Sequence, residues 1–145
     1  RPKTFTIGYT PLLPTNHCVS LLIKCCPQDV PTLKANIKHI VHQLCHPEPF
    51  CEVVLGIDPY AGPYLRQYNQ FNSLEDLLTI AKELQFCKII DRYVVFPDTE
   101  ALNLELSKRW FGIESKYSHT EDLKPITSQL FALESCKGDY ILQMD

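Results

Sequence analysis

Two aspartates carry the first chemical reading of this chain. Asp58 follows the apolar run Cys51-Glu52-Val53-Val54-Leu55-Gly56-Ile57, and Asp145 follows Tyr140-Ile141-Leu142-Gln143-Met144. Each run reads as a strand, because a short, nearly continuous apolar stretch fits a parallel sheet buried on both faces. Acids at the carboxyl ends of such strands stand where open α/β sheets bind ligands. Two carboxylates over one sheet edge can hold a base or ribose and a divalent metal on a diphosphate. Asp58 precedes Pro59, so the start of a turn accounts for it equally well. Asp145 ends a buried run, and an acid in that place calls for a polar partner.

The remaining chemistry-bearing residues have plainer alternatives. Lys24 follows the first strand and Lys124 precedes the last helix, and either can assist a diphosphate. Pro125 suits a first helical turn, and a helix N-terminus favours an anion. Ordinary solvated charge explains both lysines as well. His39, His42 and His46 share one helix face opposite its apolar stripe, and i, i+4 spacing can chelate zinc. With Lys38 and Gln43 they also make an ordinary solvated face. Cys25-Cys26 has no histidine at a readable position to activate a thiol. There is no GxGxxG and no GxxxxGK[ST], and the turn Lys24-Cys25-Cys26-Pro27 contains no glycine. That speaks against a dinucleotide-binding Rossmann domain and against a P-loop enzyme.

The elements that must position these residues follow from periodicity. Residues 1–17 read as a leader or edge segment, with Phe5-Thr6-Ile7 as a short strand, and residues 18–145 as one α/β domain. Strands are expected at 19–24, 51–57, 88–96 and from 140, the third interrupted by Asp91-Arg92. A helix over 32–45 places Leu33, Ile37, Ile40, Val41 and Leu44 on one face. The loop 60–72 leads to a helix capped by Ser73 with Asp76, burying Leu74, Leu77, Leu78, Ala81 and Leu84. Asp98 caps a helix that ends near Gly112, with Leu102, Leu106 and Trp110 on one face; a polar loop over 114–124 follows. The last helix, 125–136, buries Ile126, Leu130 and Leu133, and Gly138 serves as its left-handed cap. The order β-α-β-α-β-α-α-β predicts a mostly parallel open sheet with helices on both faces and strand order 3-2-1-4. The site then lies above the first strand, between the second and fourth.

Composition bounds the partners. The chain has 145 residues, the size of one domain, and its net charge of −3 gives no reason to expect nucleic acid or an anionic membrane. No apolar run approaches the ~18 residues of a membrane span. The seven cysteines are odd in number, include no CxxC and fall in apolar patterns. Buried reduced thiols, and with them a cytoplasmic location, are the expectation.

Gly138-Asp139-Tyr140-Ile141-Leu142-Gln143-Met144-Asp145 resembles the strand that precedes the DxD motif of family 2 inverting glycosyltransferases with the GT-A fold. Ser20-Leu21-Leu22-Ile23, a turn and an amphipathic helix resemble that family's opening strand and helix. The strand ending at Asp58 is similar to the one whose terminal acid contacts the nucleotide base. The likeness runs from about Val19 to Asp145. It implies the Rossmann-like, nucleotide-sugar-binding half of a GT-A transferase that moves a sugar from a nucleoside-diphosphate donor. Asp58, Lys24, Cys25 and Lys124 would lie beside the nucleotide. Asp145 would be the first acid of a DxD that binds Mn²⁺ or Mg²⁺. The chain departs from the family in having Lys24-Cys25-Cys26-Pro27 for Pro-x-Tyr-Asn, a single acid at Asp58, and no Arg-Asn near Ser128-Gln129-Leu130. The second metal-binding acid, the catalytic base and the acceptor-binding half would follow Asp145, leaving this chain inactive alone. A sugar-phosphate nucleotidyltransferase and a non-catalytic α/β interaction domain remain the alternatives.

Overall fold

The structure is a computed structural model, and it describes residues 18–44, 50–59, 73–112 and 124–144. The leader over 1–17 with Phe5-Thr6-Ile7, Cys45, His46, the loop 60–72, most of the loop 114–124, and Asp145 lie outside the described residues. The side chains of Ile40, Val41, Gln43, Leu44, Lys124 and Pro125 are likewise outside them.

Among the described residues four parallel strands form one open sheet: β1 (Val19–Cys25), β2 (Glu52–Ile57), β3 (Arg92–Val95) and β4 (Tyr140–Met144), in the order β3-β2-β1-β4. Helix α1 (Val30–Leu44) links β1 to β2 after a 3-10 turn at Pro27–Asp29, and α2 (Leu74–Phe86) leads to β3. Helices α3 (Glu100–Phe111) and α4 (Lys124–Glu134) carry the chain back across to β4.

Alternation along the strands splits the core into two layers. Leu21, Ile23 and Cys25 of β1 and Val53, Leu55 and Ile57 of β2 pack with Leu33 and Ile37 of α1 and Leu77, Ala81 and Leu84 of α2. On the opposite face Leu22 and Val54 meet Ala132 of α4. Leu106 and Leu130 join Phe96 there, whose ring lies 5.6 Å from that of Phe131. This is an α/β, Rossmann-like arrangement with helices on both faces. No helix among the described residues is long and apolar enough to cross a membrane.

Local chemistry sets the element ends, not always as the sequence suggests. Ser73 caps α2 by accepting from Asp76 N at 3.2 Å, and Ser73 N in turn donates to the Asp76 carboxylate at 2.9 Å. The cap of α3 is Thr99, whose hydroxyl accepts from Leu102 N; Asp98 has φ 52°, which is incompatible with the extended backbone of a cap residue. The third strand begins only at Arg92, because residues 87–91 form a turn in which Asp91 already bonds to Val53 through both its N–H and its carboxylate. Helix α4 ends at Glu134, and Gly138 is not left-handed; its role is close approach. A Cβ on Gly138 would lie 2.6 Å from the backbone nitrogen of Ser20. Ile126 is 42% exposed and Trp110 is half-exposed, so neither belongs to the buried stripe expected of its helix.

The largest difference concerns β4. Tyr140, Ile141 and Leu142 are 43%, 36% and 46% exposed, whereas β2, equally apolar, is buried at all six positions. Among the described residues β4 is an edge strand paired only with β1, so a run that reads as doubly buried is half open.

The cysteine expectation is corrected as well. Cys18 and Cys51 are joined by a disulfide with Cα atoms 5.5 Å apart. They stand at the N-terminal ends of neighbouring strands, where Cys51 N donates to Val19 O at 2.9 Å. Cys25, Cys26, Cys87 and Cys136 are free.

Candidate functional site

Strand β1 is the centre of the candidate site. Its connection through α1 runs to β2 on one side, and β4 arrives on the other from beyond β3, so the chain changes direction across the β1–β4 gap. Open α/β sheets bind ligands at the carboxyl end of such a gap. Ile23 faces Met144 in register, and Cys25 faces Ile57. A cavity of about 80 Å³ opens here, lined by Ile23, Lys24, Cys25, Asp29, Leu33 and Met144 among others. It is far smaller than the ~300–1,000 Å³ of a complete small-molecule site, so the described residues provide a wall rather than an enclosure.

Asp58 lies at the same edge. It is 8% exposed, and its N–H donates to Cys25 O at 2.9 Å, extending the β1–β2 ladder one step. Lys24 points to the other face, where its ammonium donates to Ser128 Oγ at 2.7 Å. Gly56 makes room for it: a side chain there would meet Lys24 Cδ at 3.3 Å and Ala132 Cβ at 3.0 Å. Because α4 runs antiparallel to the strands, its first turn, with Lys124, lies at this same edge. Three of the residues singled out from sequence therefore share one rim with the start of α4; Asp145 lies outside the described residues.

The thiols at this rim are poor nucleophiles. Burial, and then the Asp29 carboxylate, hold Cys25 far above the ordinary thiol range, with Asp58 adding to the effect. Burial and Asp29 push Cys26 up to about 12. Asp29 accepts from Cys26 N at 2.8 Å, closing the 3-10 turn as a capping box. Cys25 and Cys26 are thus protonated near neutrality, and a thiolate mechanism has no support in this geometry.

Sequence reasoning did not single out Asp29, Asn103 and Thr127. Asn103 and Thr127 are fully buried and hydrogen-bonded to each other, and Asn103 Nδ2 also donates to Thr99 O at 2.8 Å and Asp98 Oδ1 at 3.3 Å. This network ties the first turn of α3 to that of α4 beneath the rim. Its signal was present as Thr127-Ser128, two polar residues on the face of α4 that packs on the sheet.

His39 and His42 are exposed on α1, away from this rim. Among the described residues no group of three or more His, Cys, Asp or Glu side chains could hold a metal ion. Comparison of the chain with protein-family models, curated proteins and solved structures returns no match in any of the three.

Proposed function

We propose that this chain is the donor-binding half of a sugar-nucleotide-dependent glycosyltransferase of GT-A architecture. The observation that carries the reading is the arrangement at the carboxyl edge: buried Asp58 on one side of β1, and on the other the end of β4 leading to Asp145. In this reading Asp58 accepts hydrogen bonds from the base or ribose. Lys24 and the amino end of α4 offset charge on the diphosphate, as an ammonium and a helix dipole do at a phosphate. Developing charge on a leaving diphosphate is what such groups stabilise.

The divalent ion that the resemblance implies has no complete site among the described residues, so no step is derived through it. The half-open, apolar β4 supports the idea that the sheet is one half of a larger one, because its composition suits an interior strand. The catalytic base and the acceptor site would then belong to other parts of the protein. The Cys18–Cys51 bond favours an oxidising compartment over the cytoplasm.

Calorimetric titration with uridine and guanosine diphosphates, with and without Mn²⁺ or Mg²⁺, tests the reading. Saturable binding that is lost in Asp58→Asn supports it. Absence of binding to either nucleotide at millimolar concentration, with either metal, overturns it in favour of an interaction domain.

A further inference from the structure

The opposite edge of the sheet carries a second surface. Helices α1 and α2 both end there, and a groove of about 760 Å³ runs between Lys38, His39 and His42 of α1 and Cys87, Lys88 and Ile89 after α2. It continues into a hollow of about 220 Å³ that adds Lys34, an apolar floor including Ile37 and Leu84, and a single acid, Glu83. Phe86, next in sequence to Cys87, is 88% exposed.

Two properties set this groove apart. Among the described residues its charge is opposite to that of the chain: three lysines and one glutamate line it, in a protein of net charge −3. Its accessible apolar surface is small and local: Ile89 is half-buried in the groove, and Phe86, adjoining in sequence, is exposed. A clustered positive field steers acidic partners, and an exposed phenylalanine is a surface another molecule can cover.

We infer that this groove docks a short acidic protein segment bearing one or two apolar anchors. Charge complementarity selects the acids, which would face Lys34, Lys38 and Lys88. Ile89, half-buried in the groove, and the exposed Phe86 close to it in sequence select the anchors. A purely polyanionic chain would leave Ile89 and Phe86 uncovered, and a flat lipid surface does not reach into the smaller hollow beside Lys34.

The test uses a fluorescent Glu-Glu-Leu-Leu-Glu-Glu peptide, its Gln-for-Glu and Ser-for-Leu counterparts, and anionic phosphatidylserine vesicles. The acidic leucine peptide binds saturably and more weakly as salt rises, with amide shifts at Lys38, His39 and residues 87–89. Lys34→Glu/Lys38→Glu/Lys88→Glu, checked for an unchanged circular dichroism spectrum, loses at least about tenfold in affinity. Lys38→Gln alone gives a smaller loss in the same direction. The inference is overturned if the peptide does not saturate, if the Ser-for-Leu peptide binds equally well, or if only the vesicles bind.

Discussion

The Lys24 ammonium ends 2.7 Å from the Ser128 hydroxyl, so one side chain joins the carboxyl end of the central strand to the first turn of the helix that feeds β4. Under the proposed function, a cation held in that place would be preorganised for a diphosphate laid across the rim. Lys24→Met is expected to weaken nucleoside-diphosphate binding by about tenfold to a hundredfold, the range of a charged hydrogen bond worth ~1.5–3 kcal/mol. Ser128→Ala, which leaves the ammonium in place, should change affinity by less than about threefold. Calorimetry on both variants separates a ligand contact from a purely structural tie, which would leave affinity unchanged in each.

The Cys18–Cys51 bond closes a stretch of 33 residues. Chain-entropy reasoning assigns such a loop about 3–4 kcal/mol of stability. Cys51→Ser, or reduction of the wild type, should therefore lower the urea midpoint substantially. In unreduced protein, mass spectrometry after alkylation should show Cys18 and Cys51 unmodified and linked. Modification of both before reduction would refute the bond and restore the reduced-thiol reading.

The sheet was readable because each strand is an apolar run between turn signals, and because right-handed crossovers leave few ways to connect them. Ser73 with Asp76 was readable because capping is local. What depends on distant neighbours was not. The exposure of Leu142 goes with the place of β4 at the edge of the sheet that the described residues form, which no local pattern encodes. The pairing of Cys18 with Cys51 follows from β1–β2 register, since residues 33 apart become adjacent only in the sheet. The tie between Lys24 and Ser128, 104 residues apart, has the same origin.

Gly138→Ala should be costly for a reason of space rather than backbone angle. The added methyl would sit 2.6 Å from Ser20 N and 2.9 Å from Tyr140 O, both main-chain atoms. Relief requires β4 to move away from β1, at a cost of about 1–3 kcal/mol. The Gly138 N–H bond to Ser20 Oγ, now 2.8 Å, would be strained with it. Urea denaturation measures the loss, and a midpoint equal to wild type would contradict this account.

The rim thiols give a pH dependence of defined sign. Cys25 and Cys26 are raised above the ordinary value of 9.0, chiefly by burial, so between the unfolded and folded values the native chain holds protons that the unfolded chain releases. Their contribution is complete below about pH 9 and is lost progressively as pH rises above it. Urea midpoints should fall between about pH 8 and pH 10.5, and fall less steeply in Cys25→Ala than in wild type. Equal slopes would remove the thiols as the cause.

Lys88 sets stability against the proposed groove. It occupies the left-handed position after α2, with φ 60°, in a helix end where Ile89 N donates to Leu84 O at 2.9 Å and Lys88 N to Gln85 O at 3.0 Å. That pattern is a Schellman motif, and its left-handed residue is usually glycine because a Cβ there costs about 1–2 kcal/mol. Lys88→Gly should therefore raise the urea midpoint by the equivalent of about 0.5–1 kcal/mol, after allowing for the greater freedom of glycine in the unfolded chain. It should also weaken binding of the acidic leucine peptide, because a groove cation is gone. Lys88→Ala keeps the strain and loses the charge, so it should weaken the peptide to the same degree with no gain in stability. A glycine variant that is more stable and binds the peptide as well as wild type would separate the lysine from the groove and leave its conformation without a functional reason.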